Sequence, residues 1–332
     1  IYRFLESDTA LYFNKFEFEL DEGVDAEKLL GAWKRVVEKL EVLRMNFVAT
    51  DDGFAQVVLR RDGSAYAQHI DYDSEDKVAA LRVPCSLNAE GRIMRLQIFH
   101  GLYDGNSLTM LLRRVVDEYY DQDSIEYGPQ FTSSLPYGPL AKVPGANDFW
   151  TSHLDAWSPS HFPDNLESTT DIVAAWTAKN LTGFDSLRKQ LGVTPQALVQ
   201  AAWVSVLQNI TASNLTIGVV TSGRAIDFEG ADKVIGPLFN TVPFHVSIQP
   251  NTMSSELVVQ CHEFNMQMQD FQHTPLKDIQ RWGPAKPGQS LFDTLFVFQR
   301  PEAEDEGFAE GMWTDVGDEM VADVRWILFF CV

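Results

Sequence analysis

The stretch Leu96–Leu108, "LQIFHGLYDGNSL", joins a segment that alternates like a strand to a segment with helical spacing. The alternation begins in "RIMRLQIF", and the helical period continues after Gly105 through "NSLTMLLRRVVDEYY". His100 and Asp104 therefore fall in a strand-to-helix junction. Two interpretations follow, a histidine at a reaction centre or an incidental histidine beside a surface Asp-Gly turn.

The chemical interpretation rests on three residue types at this spacing. Histidine has a pKa near neutrality, so we expect His100 to accept a proton or to hold a nucleophile. Gly105 permits a tight turn at a helix start that favours negative charge, and it is our second catalytic residue. We expect Asp104 to pair with an arginine. Arg44 and Arg224 are both candidates, since each ends an apolar segment where a lone charge would be costly.

The composition argues against several classes of function. The 332 residues suffice for two domains, and 26 basic against 47 acidic residues give a net charge of −21, which would repel nucleic acid and anionic membranes. Three widely spaced cysteines, no 18-residue apolar run and no signal peptide predict a cytoplasmic protein without zinc. The motifs GxSxG, GxGxxG, GxxxxGK and HExxH are absent, which removes the usual anchors of hydrolases, nucleotide sites and zincins.

The rest of the chain alternates strand and helix patterns in two halves. The strand pattern "LYFNKFEFEL" places Tyr12, Phe16, Phe18 and Leu20 on one face, and an amphipathic helix follows it. In the second half, Thr194 caps an apolar helix that we expect to be buried on more than one side. Further strand patterns are "NLTIGVVTSGR", "NTVPFHVSIQ", "SLFDTLFVFQ" and the terminal "WILFFCV".

A segment rich in Pro, Ser, Asp and Gly, about Tyr120 to Asp171, predicts a linker between the halves. We place the boundary near Ser158. The predicted domains are 1–157 and 158–332, both of mixed α/β class.

The junction resembles a motif of a known family. "FHGLYDGNS" is similar to the HHxxxDGxS motif of nonribosomal peptide synthetase condensation domains, which belong to the chloramphenicol acetyltransferase-like superfamily. Further stretches resemble other blocks of that family in the family's order, namely "KLEVLRMNF" (39–47), "TSGR" (221–224), "VIGPLFNTVPF" (234–244), "FQHTPLKDI" (271–279) and "LFDTLFVFQ" (291–299).

The departures from the family pattern are informative. Phe99 stands at the first histidine of the motif, Lys39 at the arginine of the RHE block, and Phe244 at the arginine that ends the IGxFVNTxxxR block. Such substitutions resemble fungal domains, especially those of ferrichrome-type siderophore synthetases and the related terminal, cyclising domains. From the resemblance we expect that the chain starts past the family's first block and is truncated at its C-terminal end.

The resemblance implies a fold and roles for particular residues. The fold would be two acetyltransferase-like lobes in a V-shaped pseudo-dimer, with His100 near the middle of a central tunnel. Asp104, Arg44, Arg224 and Phe99 would be structural residues of the motif, and His273 would have a structural or interface role. The tunnel residues would be Gly101, Ser222, Asn240 and Thr241. The last three could donate hydrogen bonds to an oxyanion or could equally satisfy backbone groups at strand ends.

The resemblance also implies an activity. An amine would attack an acyl or peptidyl thioester, in siderophore-type peptide synthesis, with both substrates carried on 4'-phosphopantetheine arms. The domain itself would be monomeric and would bind no cofactor or metal, and its partners would be donor and possibly acceptor carrier-protein domains of the same synthase. Three alternatives stay open: release of the peptide by macrocyclisation, a non-catalytic docking domain, and a free-standing acyltransferase that uses coenzyme A.

Overall fold

The structure, a computed structural model, describes residues 12–51, 53–60, 85–122, 125–159, 182–211, 215–249, 251–286, 289–299, 307–319 and 326–331. In chain order the described strands are β1 (Phe13–Leu20), β2 (Met45–Thr50), β3 (Gly53–Val58), β4 (Cys85–Glu90), β5 (Ile93–Phe99), β6 (Leu215–Thr221), β7 (Asn240–Val246), β8 (Thr294–Gln299), β9 (Trp313–Glu319) and β10 (Trp326–Cys331). The described α-helices are α1 (Ala26–Lys39), α2 (Gly105–Tyr119), α3 (Phe131–Ser134), α4 (Ala146–His153), α5 (Phe184–Leu191), α6 (Pro195–Gln208), α7 (Ser254–Met268) and α8 (Leu276–Trp282). Within these ranges, no helix combines the length and the hydropathy needed to cross a bilayer.

The chain forms two compact units, and each is assembled from separate segments. The first unit comprises Ile1–Ala141, Arg224–Phe239 and Pro301–Asp323. The second comprises Lys142–Gly223, Asn240–Arg300 and Val324–Val332. The predicted mixed α/β class is confirmed. The compact units are not the continuous segments 1–157 and 158–332, because two later segments pack into the first unit; the division into lobes near Ser158 stays a prediction.

The first unit is built on an antiparallel sheet with the strand order β4-β5-β1-β9. The predicted alternation in β1 is confirmed, since Phe16, Phe18 and Leu20 are buried. Tyr12 is an exception, because it lies in a turn before the strand with a φ of 68°. Helices α1 and α2 pack against each other. The apolar stripe of α1 and the inner face of β1 belong to the same buried core.

A buried carboxylate fastens α1 to the carboxyl end of α2. The side chain of Glu118 is 5% exposed and forms ion pairs with Arg35 and Lys39 of α1. Its Oε2 accepts from Arg35 Nε at 2.8 Å, and its Oε1 accepts from the hydroxyl of Tyr127 at 2.6 Å. Burial alone would raise the pKa of Glu118, but the hydrogen bonds from Lys39, Tyr127 and Arg35 together lower it.

The second unit has a mixed sheet with the order β10-β8-β6-β7. Strand β8 runs parallel to β10 and β6, and β7 runs antiparallel to β6. Helix α6 begins as predicted, since the Thr194 hydroxyl accepts from the amide of Ala197 at 3.3 Å. It packs against α7 and also contacts α5 and β6, so it is buried on more than one side, although Val206 is half exposed.

The Glu118 network predicts a specific loss of stability. Glu118→Gln should lower the free energy of unfolding at neutral pH by about 1 to 2 kcal/mol, because Arg35 and Lys39 lose their charge partner. The folded-state pKa of Glu118 is lowered, so its contribution is present above the ordinary glutamate range and fades as the pH falls. Urea unfolding at neutral pH and at about pH 3 should therefore show a difference that shrinks with acid.

The matched control is Glu126→Gln, because Glu126 pairs with Lys233 at 3.0 Å with both side chains more than half exposed. That variant should unfold like the parent protein. Equal losses in the two variants would contradict a special role for Glu118.

Candidate functional site

The junction between β5 and α2 holds the predicted motif in a defined turn. Strand β5 ends at Phe99, the amide of Leu102 donates to the Phe99 carbonyl at 2.9 Å, and Asp104 is the N-cap of α2. Asp104 Oδ1 accepts from the amide of Ser107, and Ser107 Oγ accepts from the amide of Asp104, both at 2.8 Å. This capping box fixes where the helix begins and the direction of the loop that carries His100.

Asp104 also binds the segment 224–239 of the first unit. Arg224 donates from Nη1 to Oδ2 at 2.7 Å and from Nη2 to Oδ1 at 3.1 Å, and the two side chains are 8% and 4% exposed. Leu238 donates its amide to Oδ2 at 3.1 Å. Of the two candidate arginines, Arg224 is the partner. Arg44 instead donates to the carbonyl of Leu59, next to the β2–β3 hairpin.

The imidazole of His100 is held in one tautomer. Its Nδ1 lies 3.1 Å from the carbonyl oxygen of Tyr103, and because a carbonyl can only accept, Nδ1 carries the proton. The lone pair is therefore on Nε2. Burial lowers the pKa of His100, while the Tyr103 carbonyl and the charge of Asp104 act in the opposite direction. The ring is consequently neutral at physiological pH and able to accept a proton at Nε2.

Two aromatic rings contact the imidazole, and neither was predicted. The ring of Phe239 is stacked on it with a centroid distance of 5.1 Å and an interplanar angle of 14°. The Tyr103 ring lies 4.8 Å away at 39°. The available signal for Phe239 was its position in "VIGPLFNTVPF", directly before Asn240. The periodicity of that block does not reveal its contact with a residue far away in the chain.

Phe99 belongs to the buried core of the first unit. It is 3% exposed, and its ring contacts Phe13 at 4.9 Å and Phe47 at 5.3 Å between centroids. A Cβ atom on Gly101 would lie 2.6 Å from the Phe99 ring, so only glycine fits at that position. Gly105 is the first residue of α2 and does not have a positive φ, so the turn does not require the special freedom of glycine there.

The remaining predicted residues belong to the second unit. Asn240 Nδ2 donates to the carbonyls of Gln272 at 2.8 Å and Thr274 at 2.9 Å, which uses both protons of the amide. This geometry favours the structural interpretation of Asn240. Ser222 is exposed just after β6, and Thr241 is half-buried in β7. His273 Nε2 is 2.8 Å from the carbonyl of Gly223, which is a structural contact of the kind we expected.

Comparison with known proteins identifies relatives that match most of this chain. A family model with the description "Condensation domain" matches residues 85–314. Nonribosomal peptide synthetase 2 of Cochliobolus heterostrophus is 38% identical over 344 residues, which covers 97% of this chain and 6% of that protein. Nonribosomal peptide synthetase sidC of Arthroderma benhamiae is 33% identical over 345 residues, which covers 97% of this chain and 7% of that protein. The chain thus spans a small part of these relatives.

Solved structures share the fold at low sequence identity. A variant of the starter condensation domain of rhizomide synthetase RzmA has a TM-score of 0.71 at 17% identity, over 98% of this chain and 82% of that one. The X-domain from teicoplanin biosynthesis has a TM-score of 0.69 at 15% identity, over 97% of this chain and 81% of that one.

The buried ion pair predicts that Asp104 contributes to stability. Asp104→Ala should lower the free energy of unfolding by about 3 to 5 kcal/mol, because it leaves the guanidinium of Arg224 buried without its charge partner. Chemical denaturation followed by circular dichroism measures this loss.

Asp185→Ala is the matched control, since Asp185 is 78% exposed and pairs with Arg188 at 3.3 Å. We expect that variant to unfold at the parent denaturant concentration. If Asp104→Ala were as stable as the parent protein, the structural role of Asp104 would be wrong.

Proposed function

Because this chain belongs to the condensation-domain family, we propose that it forms an amide bond by attack of an amine on a thioester. Condensation domains are in general acyl-transferring enzymes. The observation that carries the proposal is the imidazole of His100, which is neutral, largely buried and fixed with its lone pair on Nε2. The several family blocks make a coenzyme A-dependent acyltransferase the weaker alternative.

In the proposed reaction the amine nitrogen attacks the carbonyl carbon of the thioester. A C–N bond forms and a tetrahedral intermediate results, while Nε2 of His100 accepts the proton that the nitrogen loses or orients the amine for attack. The C–S bond then breaks, and the thiolate takes up a proton to leave as a thiol. The thioester is already activated for this attack. The overall reaction consumes an acyl thioester and an amine and yields an amide and a thiol.

Several residues would support this step without touching the transferred proton. The hydrogen bond from Nδ1 to the Tyr103 carbonyl would stabilise the positive charge that develops on the ring. We propose that Gly101, Ser222 and Thr241 line the substrate tunnel, and that the backbone of Gly105 lies beside the reacting carbonyl. Asn240 would shape the tunnel rather than donate to an oxyanion, because its amide protons are already bonded to two carbonyls.

The substrates would arrive on phosphopantetheine arms of carrier-protein domains. The relatives are named as nonribosomal peptide synthetases, and the one from Arthroderma benhamiae carries the name sidC, which supports siderophore-type peptide synthesis. The rhizomide synthetase domain was crystallised with C8-CoA and Leu-SNAC, which are an acyl thioester and an aminoacyl thioester. A donor arm and an acceptor arm would present the same two chemical groups here.

The decisive variant is His100→Ala. It should reduce amide formation by about 10²- to 10⁴-fold, which is the usual contribution of a general base, while the fold stays intact. The assay supplies purified protein with an acyl-loaded donor carrier, with and without an aminoacyl-loaded acceptor carrier, and identifies the product by mass.

His262→Ala is the matched control, because His262 is half-buried on α7 of the second unit and belongs to no part of the proposed site. Its turnover should equal that of the parent. Unchanged turnover in His100→Ala would refute the catalytic assignment. A cyclic product that forms without the acceptor carrier would identify the macrocyclising alternative, and no product with any donor would identify a docking domain.

A further inference from the structure

The ring of Phe239 covers one face of the His100 imidazole in a near-parallel stack, at 5.1 Å between centroids. We propose that Phe239 is a positioning residue that fixes the plane of the His100 ring and shields it from water. This inference rests on the proposed function of His100.

The stack supplies a constraint that the hydrogen bond alone does not. The outer torsion of a histidine side chain has a broad energy profile, so a single contact at Nδ1 leaves the ring free to rock about that atom. The carbonyl of Tyr103 fixes one edge of the ring, and Phe239 restricts motion out of its plane. The two contacts together direct the lone pair of Nε2 along one line, as an attacking amine requires.

Phe239 is itself held in place by the contacts of the Asp104 carboxylate. The preceding residue, Leu238, is fully buried and donates its amide to Asp104 Oδ2 at 3.1 Å. The same carboxylate caps the helix that follows His100 and pairs with Arg224. Asp104 therefore fixes both the loop that carries the histidine and the backbone that carries the ring above it. This arrangement gives Asp104 an indirect effect on His100 through Phe239.

The shielding has a predictable electrostatic direction. Burial is the main cause of the lowered pKa of His100, and the Phe239 ring provides part of that burial. Within the described chain, the charge that acts on His100 is that of Asp104, which raises the pKa and is largely neutralised by Arg224; the hydroxyl of Tyr103 is bonded to Asn14. Removal of the Phe239 ring should therefore raise the pKa of His100. As the solution is acidified, His100 would then become protonated, and cease to act as a base, at a higher pH.

The test compares Phe239→Ala, Phe239→Leu and Phe239→Tyr in protein labelled with ¹⁵N-histidine. The signals of His100 are assigned by their loss in His100→Ala, and an NMR titration gives its pKa and tautomer without any substrate. Phe239→Ala should raise the pKa of His100 above that of the parent protein and mix the tautomers. Phe239→Leu keeps the apolar cover, so it should mix the tautomers with a smaller pKa change. Phe239→Tyr should restore the parent values.

Phe228 supplies the matched control. It lies in the same segment, is half-buried, and contacts Tyr137 at 5.1 Å between centroids instead of a histidine. Phe228→Ala and Phe228→Leu should leave the His100 titration unchanged. In the carrier-based assay, Phe239→Leu should lower kcat by about tenfold. The acid limb of its pH–activity profile should shift by no more than the His100 pKa that NMR measures in the same variant.

The NMR outcome separates this inference from the proposed function. A parent pKa and tautomer in both Phe239→Ala and Phe239→Leu would overturn the positioning role, whatever the activity. An altered titration in a protein that forms no amide with any donor would support the contact and refute the function instead. If Phe239→Ala does not fold, Phe239→Leu decides the question alone, because it preserves most of the buried apolar volume.

Discussion

The ion pair between Asp104 and Arg224 connects parts of the chain that are 120 residues apart. One carboxylate accepts from the first turn of α2, from the guanidinium and from the amide of Leu238. Each acceptor position of the buried group is therefore occupied, which is the condition under which a charge is tolerated in a core. Without this pair, the segment 224–239 would lose its main polar attachment to α2, and the loop of His100 would lose its cap.

The value of such a pair is chiefly geometric. A buried ion pair recovers its desolvation cost only when its partners are well aligned, and well-packed apolar residues often stabilise a fold equally well. Aliphatic residues in place of the pair would not fix direction, because the hydrophobic effect is non-directional. Direction matters at this junction, because the orientation of the His100 ring depends on the carbonyl of Tyr103 and on the ring of Phe239, which follows Leu238.

The local periodicity of the sequence predicted most helices and strands of this fold. It did not predict which strands pair across long distances in the chain. The alternation in β1 and the helical stripe of α1 are set within a few residues, so the sequence reveals them. The return of β9 to pair with β1 depends on register across nearly the whole chain, and no period encodes that. The same limit applied to the site: Arg44 and Arg224 looked equivalent in sequence, and Phe239 carried no signal of its contact with His100.

The substitution at Phe99 can be understood from the same packing. Phe99 and His100 have different neighbours. The ring of His100 contacts Tyr103 and Phe239. The ring of Phe99 contacts Phe13 and Phe47 in the aromatic core. The core gains a large ring, and the ring in turn excludes a Cβ at Gly101, which lies directly after His100. A side chain at position 101 would therefore force the Phe99 ring or the loop to shift. The chemistry that we propose for the junction consequently depends on one imidazole, and the residues around it fix the position of that ring.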